Sequence, residues 1–261
     1  MKKYTVFVIF HDTLNLEYYN ESILENFVFV NVRKDNKNVY PNLNVINLHE
    51  FKEFKALGSY YAESEVIYNV YKNMYLVDNV DYIGFLHHDI DCNPLTNDQV
   101  LNMVKYNELI SFETHSFTKD YNRGILMDAN KPNMLYGKGV NCYDTIFHDF
   151  NSFYNTNFSI CDFNKKDNHI ILCSCFILKK EIFLKLMEFS SQIIESKKLD
   201  IFDTKHKYRI QGGLMERYYA IWFLLKDVSF VSQRLIHNYY ETNRQNTFIT
   251  QVKRKLISIF K

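Results

Sequence analysis

The sequence predicts an α/β fold in which a mostly parallel central sheet is flanked by helices. Two short runs near the start, residues 5–10 and 27–32, are apolar and rich in β-branched and aromatic residues, as strands buried on both faces of a parallel sheet are. A third run, residues 81–86, leads directly into a cluster of His and Asp residues. Segments with helical spacing lie between such runs, and this alternation is typical of a sheet covered by helices.

The other elements continue the alternation along the chain. Further strands are expected at residues 44–48, 108–112, 170–178 and 228–237. Helices are expected at residues 60–75, 96–106, 141–154, 180–196 and 213–225, and Ser59 is the expected N-cap of the first. Apart from the helix at 141–154, residues 114–168 show no sustained period and are rich in Asn, Asp, Tyr and Phe. We interpret this stretch as a loop-rich substrate region.

The composition indicates one compact domain. The chain has 261 residues, of which 47% are hydrophobic and 16% aromatic, and only 7 Gly and 3 Pro, so there is little material for linkers. A single domain is therefore expected over residues 1–245, followed by a tail at 246–261. Lys and Arg total 31 against 30 Asp and Glu, so the net charge offers no electrostatic attraction for nucleic acid.

The expected compartment is the cytoplasm. The 5 cysteines are odd in number and form no CxxC pair, which favours free thiols in a reducing environment. The apolar run at residues 5–10 is too short for the core of a signal peptide, and no stretch reaches the roughly 20 apolar residues of a membrane span. The tail has the pattern of a basic amphipathic helix, which could contact the inner face of a membrane or dock on the domain.

Asp89 and Asp91 form a DxD motif directly after the strand at 81–86. Ligands of open α/β sheets bind beyond the carboxyl ends of strands, where two carboxylates could hold Mn²⁺ or Mg²⁺ against a diphosphate. The flanking His87 and His88 add further groups that can bind a metal, although His87 could equally be a core imidazole. The alternative for the motif is a loop closed by Asp91, since acidic residues favour turns.

Two later segments supply further candidates for a site. His237 ends the last predicted strand, where it could be a third metal ligand or an ordinary buried or surface histidine. Gly212 and Gly213 precede the helix that carries Glu216, and glycines allow a backbone to approach a sugar closely. Glu216 could accept the proton of an acceptor hydroxyl as a general base, or could simply favour the helix dipole.

Two segments resemble a bacterial family of glycosyltransferase-like proteins encoded among capsular and surface polysaccharide genes. One runs from Tyr60-Tyr61-Ala62-Glu63 to the strand that ends in Gly84-Phe85-Leu86-His87, and the other runs from Glu216-Arg217-Tyr218 to Trp222. Where that family often continues its His with Tyr-Arg-Arg, this chain has His88-Asp89-Ile90. Arginines could neutralise a diphosphate without a metal, whereas aspartates require one, so the family's mechanism does not transfer directly.

The chain is also similar, more loosely, to glycosyltransferases with the Rossmann-like GT-A fold. Those combine a nucleotide-binding N-terminal half, a central DxD, a later Gly-Gly segment with an acidic catalytic residue, and in some cases a C-terminal metal-binding His. The resemblance implies a nucleotide-sugar-binding half at residues 1–112 and an acceptor-binding half at 113–245. It also implies a set of donor-binding residues, which are Phe10, His11, Arg33, Glu63, His88, Gly212 and Gly213, with Lys55 as a further candidate.

The sequence therefore favours a metal-dependent glycosyltransferase that uses a nucleotide-diphosphate sugar and acts on a glycan or a lipid-linked glycan. The expected metal ligands are Asp89, Asp91 and His237, with Glu216 as the base of an inverting transfer. Two alternatives remain open at this point. One is a metal-dependent phosphohydrolase or nucleotidyltransferase that uses the His-His-Asp-x-Asp cluster, and the other is a non-catalytic carbohydrate-binding protein of the same fold.

Overall fold

The computed structural model describes residues 3–122, 142–164, 168–200 and 209–238. Its central sheet has seven strands in the order β10-β6-β9-β4-β1-β2-β3. These are β1 (Tyr4–Phe10), β2 (Phe27–Asn31), β3 (Val45–Asn47), β4 (Tyr82–His87), β6 (Leu109–Ser111), β9 (Phe176–Lys179) and β10 (Phe230–Ser232). Two small antiparallel pairs lie beside the sheet, β5 (Ile90–Asp91) with β11 (Ile236–His237) and β7 (Thr114–Ser116) with β8 (His169–Ile171).

The direction of the strands confirms the predicted fold class. All the strand pairs of the large sheet are parallel except those of β9, which runs antiparallel to both of its neighbours, β4 and β6. The helices are α1 (Glu21–Leu24), α2 (Glu63–Lys72), α3 (Asn97–Tyr106), α4 (Phe117–Asn122), α5 (Cys142–Tyr154), α6 (Ile160–Asn164), α7 (Lys180–Glu195) and α8 (Ile210–Leu225). The result is a mixed α/β domain of GT-A-like architecture.

The alternation of side chains along β1 explains why helices cover both faces of the sheet. All seven residues of β1 are buried. Phe7 and Ile9 belong to one core cluster, shared with α2, α5, α7 and α8, while Val6, Val8 and Phe10 belong to a second cluster, shared with α1 and α3. Because successive side chains of a strand point to opposite faces, a strand that is apolar throughout must be covered on both sides.

The predicted helix at residues 60–75 is shorter in the structure and begins later. Residues 59–61 form a 3₁₀ turn, α2 begins at Glu63, and a second 3₁₀ turn follows at residues 74–77. Ser59 is therefore not the N-cap of α2; that position belongs to Ala62, whose φ of 51° interrupts the helical backbone. The predicted start of α3 is close to the observed one, because Thr96 and Gln99 form a capping box.

Two of the predicted strands were wrong in extent, since each is two strands in different sheets. Residues 170–178 divide into the end of β8 and most of β9, because Cys173 and Ser174 adopt positive φ angles of 62° and 48°. Residues 228–237 divide into β10 and β11, and Gln233 N donates to Ser111 O at 2.8 Å in the connection between them. In both cases the break carries the chain from the central sheet to a small one.

The stretch at 114–168, predicted to be loop-rich, contains β7, α4, α5 and α6 among its described residues. A buried ion pair attaches it to α8. Arg217 Nε donates to Asp120 Oδ2 at 3.0 Å, and Tyr143 OH donates to the same oxygen at 2.6 Å. Within the described part of the chain, no helix is long and apolar enough to cross a membrane.

Candidate active site

The candidate site lies at the carboxyl ends of the adjacent parallel strands β1 and β4. Ile9 is in register with His87, so the chain leaves β1 at His11 beside the point where it leaves β4 at His88 and Asp89. The strand β11 then folds back onto β5, with His237 opposite Ile90. This antiparallel pairing brings His237, from the far end of the described chain, to the loop that follows β4.

Three side chains converge there with the chemistry of a metal centre. One potential ligand atom from each of His87, Asp89 and His237 lies within 4.8 Å of the other two. His237 Nε2 is 3.0 Å from Asp89 Oδ1, and the rings of His87 and His237 are nearly perpendicular with their centroids 5.3 Å apart. Two imidazoles and one carboxylate on one side of an ion form a known arrangement for divalent transition metals that leaves positions open for substrate.

Carboxylates also contact the two imidazoles of this group. Glu113 Oε2 lies 3.0 Å from His237 Nδ1, and Glu63 Oε1 lies 3.6 Å from His87 Nε2. Carboxylates beside histidine ligands orient the ring and raise the basicity of its other nitrogen. In the described part of the protein, His87 Nε2 is buried and makes no hydrogen bond, and the carboxylate of Glu63 is its ion-pair partner.

The charges of the group stabilise it as an ion-pair network when no metal is bound. Burial lowers the pKa of His237, but Asp89 and Glu113 outweigh this effect and raise it to about 9. Burial likewise raises the pKa of Asp89, but His237 and His87 bring it down to about 2. A protonated His237 between two carboxylates is therefore the structural alternative to a metal, and a cation would have to displace that proton.

Asp91 is not part of this group, although the DxD pattern predicted it as a ligand. Its Oδ1 accepts a hydrogen bond from Asn93 N at 3.0 Å, so the carboxylate closes the turn that follows β5. Of the three predicted ligands, the structure thus brings together Asp89 and His237, and it adds His87 from the end of β4.

Glu216 lies on α8, on the side of the sheet that His87 also faces. Burial raises the pKa of Glu216 to about 7; the charge of Glu63 adds to this effect, whereas Arg217 and His87 oppose it. Glu216, Glu63 and His87 are therefore close enough to influence one another electrostatically. A carboxyl group with a pKa near neutrality is suited to general acid-base chemistry.

His11 and His88 stack edge to face at the end of β1, with ring centroids 4.9 Å apart. Burial, with a contribution from His11, lowers the pKa of His88 to about 4, and His88 Nδ1 lies 3.3 Å from Ile9 O. Burial and then the charge of Arg209 lower the pKa of His11. Both imidazoles are therefore neutral near pH 7, and Arg209 places a positive charge near His11.

The remaining predicted donor-binding residues lie outside this group. Phe10 is buried in the core and contacts Tyr40 edge to face, and Arg33 is exposed and pairs with Asp35. Gly212 and Gly213 lie within the first turn of α8 rather than before it. A Cβ on Gly212 would lie 2.9 Å from Ala62 Cβ and 3.0 Å from Tyr61 O, so this glycine permits close packing of the protein itself.

Lys55, the further candidate for donor binding, also lies outside this group. Its backbone N donates to Asn69 Oδ1 at 2.7 Å, which places it against α2.

Sequence reasoning missed Glu113, His115 and Arg209. Glu113 lies two residues after the end of β6. Asp89 was located because it lies at the carboxyl end of a strand, and the same rule would have found Glu113. No comparable signal marks Arg209.

The fold and the position of the site define the class: an α/β domain of the GT-A type, with its polar residues at the carboxyl ends of the central strands. Among solved structures, the chain is similar to the apo structure of WbbM, a bifunctional glycosyltransferase, with a TM-score of 0.62 at 15% sequence identity. The match covers 90% of this chain and 45% of WbbM, so the chain spans about half the length of that protein. No protein family and no curated protein matches the sequence.

Proposed function

We propose that the protein is a glycosyltransferase of the hexosyltransferase type that uses a nucleotide-diphosphate sugar and a divalent cation. The observation that carries this proposal is the convergence of His87, Asp89 and His237 at the carboxyl ends of β1 and β4, beside Glu216. The GT-A-like sheet supports it, because open α/β sheets bind nucleotides at this edge. The likeness to WbbM is consistent with the same general role.

His87, Asp89 and His237 are the residues that would hold the cation. The donor set fits such an ion, since two imidazoles and a carboxylate lie within bridging distance and His87 Nε2 is buried without a hydrogen bond in the described structure. Imidazole ligands suit transition ions, whereas Mg²⁺ prefers oxygen ligands, so of the two expected ions this donor set fits Mn²⁺ better than Mg²⁺. When bound, the cation would supply positive charge to the departing nucleotide diphosphate.

Glu216 is the proposed general base for the acceptor hydroxyl, which corresponds to an inverting transfer. Its raised pKa gives it an affinity for a proton that an exposed carboxylate lacks. Glu63 holds His87 in place through the 3.6 Å contact. His11, His88 and Arg209 border the place proposed for the nucleotide, where the guanidinium of Arg209 would add positive charge near the phosphates.

The proposed acceptor is a surface glycan or a lipid-linked precursor of one, as in capsule, lipopolysaccharide or exopolysaccharide synthesis. This part of the proposal rests on the resemblance to surface-polysaccharide proteins. It agrees with a single domain over residues 1–245 that acts in the cytoplasm, at the inner face of the membrane. The basic tail at 246–261, which lies outside the described residues, would provide the membrane contact.

The test is thermal unfolding of the purified protein with a panel of nucleoside diphosphates and nucleotide sugars, each with Mn²⁺ or EDTA. A ligand of the native state raises the melting temperature by mass action. The expected result is a Mn²⁺-dependent increase with one nucleotide in the wild type, and none in His237→Ala. The absence of any increase with every nucleotide would contradict the donor site.

A second candidate is a metal-dependent phosphohydrolase or nucleotidyltransferase. Glu113 and His115 favour it, because they bring more metal-binding side chains to this edge than the sequence motif contained. Product analysis separates the two enzymes. A glycosyltransferase releases the nucleoside diphosphate from the nucleotide sugar. A phosphohydrolase releases inorganic phosphate from a phosphate monoester, and a nucleotidyltransferase releases pyrophosphate from a nucleoside triphosphate. A carbohydrate-binding protein binds the nucleotide sugar without turnover.

A further inference from the structure

A second group of metal-binding side chains lies on the other side of Glu113. Ligand atoms of Glu113, His115 and Cys173 lie within 4.8 Å of one another, and His115 Nε2 is 3.0 Å from Glu113 Oε1. We propose that these three residues form a second cation site, which takes a thiophilic divalent ion such as Zn²⁺. This site is distinct from the centre formed by His87, Asp89 and His237, and its existence does not depend on glycosyl transfer.

The pairing of two short strands builds this second site. Strand β7 runs antiparallel to β8, with Thr114 opposite Ile171. Glu113 and His115 flank Thr114, so their side chains leave the chain on the same side. The turn after β8 then places Cys173 beside them, with the positive φ of 62° that this tight reversal requires.

The ligand set indicates which kind of ion the second site would take. A carboxylate, an imidazole and a thiolate are common Zn²⁺ ligands, and their bond lengths of about 2.0–2.3 Å separate tetrahedral ligands by about 3.5 Å. Ligand atoms that lie within 4.8 Å of one another can reach that spacing by small side-chain rotations. A soft thiolate binds Zn²⁺ in preference to Mg²⁺ or Mn²⁺, so the second site would select Zn²⁺ over those two ions.

The second site is accessible from solution and has room for a further ligand. All three residues are partly exposed. Two of the three residues, Glu113 and His115, line a cleft of about 600 Å³, and His237 and residues 112, 114 and 234–236 complete its lining. Three protein ligands leave one tetrahedral position for water or for a group bound in the cleft. On binding, the Cys173 thiol releases its proton to solvent, because the thiolate is the ligand.

Co²⁺ titration under reducing conditions tests the proposal, since a thiolate bound to Co²⁺ gives a near-ultraviolet charge-transfer band and a His-carboxylate centre does not. We expect the band in the wild type and in two control variants. Asp89→Asn disables the first centre, and Cys161→Ser removes an exposed cysteine elsewhere. We expect no band in Cys173→Ser. In His115→Gln the affinity should fall by about tenfold or more, because loss of even an outer partner of a ligand costs about 10- to 100-fold.

A second measurement needs no variant and so does not depend on the folding of Cys173→Ser. Zn²⁺ should protect Cys173 of the wild type from alkylation by iodoacetamide, as read by peptide mass spectrometry, while Cys161 reacts equally with and without Zn²⁺. Any of four results would overturn the proposal. Two concern the charge-transfer band, which would be absent from the folded wild type or would persist in Cys173→Ser. The others are an unchanged affinity in His115→Gln and equal alkylation of Cys173 with and without Zn²⁺.

Discussion

His237 Nε2 lies 3.0 Å from Asp89 Oδ1, and this contact closes the last described strand onto the loop that follows β4. The pairing of β11 with β5 holds the two residues together. Because one residue follows a central strand and the other comes from the end of the described chain, their contact is a product of the tertiary fold. It is also the centre of the proposed metal site.

Asp89→Asn should abolish the Mn²⁺-dependent stabilisation of the protein, whereas Asp91→Asn should retain it. Asp89 belongs to the converging group, while Asp91 accepts a hydrogen bond from Asn93 N, and the amide oxygen of Asn can accept the same bond. A ligand at about 100 times its Kd stabilises the native state by about 2.7 kcal/mol. Thermal unfolding with Mn²⁺ and with EDTA measures the difference. Equal losses of Mn²⁺-dependent stabilisation in the two variants would show that Asp91 is a metal ligand, as the DxD motif predicts.

Glu216→Gln should lower kcat by about 10²–10⁴, the usual contribution of a general base, and should leave nucleotide binding intact. The isosteric amide cannot accept the proton of the acceptor hydroxyl. In the wild type, kcat/KM should rise as the pH increases through about 7, because burial raises the pKa of Glu216 to that value and the base acts when ionised. A variant with wild-type kcat would remove Glu216 from the mechanism.

Asp120→Asn should destabilise the protein by about 3–5 kcal/mol, because it leaves the buried guanidinium of Arg217 without a counter-ion. Chemical denaturation measures the free energy of unfolding. The matched control is Asp35→Asn, which breaks the exposed pair with Arg33 and should leave the free energy of unfolding essentially unchanged. Similar effects of the two substitutions would show that the Asp120 pair is not buried as described.

Gly212→Ala should cost about 1–3 kcal/mol, the range for an extra methyl group in a packed interior. The new Cβ would lie 2.9 Å from Ala62 Cβ and 3.0 Å from Tyr61 O. Ala62→Gly removes one of these contacts and relieves a φ of 51°, so it should stabilise the wild type by about 1 kcal/mol. It should also recover part of the loss in the double variant. Strictly additive effects in the double-mutant cycle would argue against this contact.

The fold class could be predicted from the sequence because the periodicity of apolar residues reports burial directly. The runs that became β1, β2 and β4 are apolar on both faces, and such strands belong to a parallel sheet that helices cover. The motif after β4 could be located for a similar reason, since polar residues that end a buried strand must lie at the sheet edge. The limits of the strands were less predictable. The breaks at 173–174 and between β10 and β11 depend on which sheet each segment joins.

Only the tertiary structure decided which polar residues form the site. Local sequence placed Asp89 and Asp91 together, but the turn to Asn93 engages Asp91, and the pairing of β11 with β5 sets His237 beside Asp89 and His87. It likewise brought His237 to Glu113. These contacts join segments that are distant along the chain, and a single sequence records the residues of such contacts without recording their pairing. The sequence alone therefore determined the architecture and the place of the candidate site at the end of β4. Long-range strand pairing determined which side chains converge there.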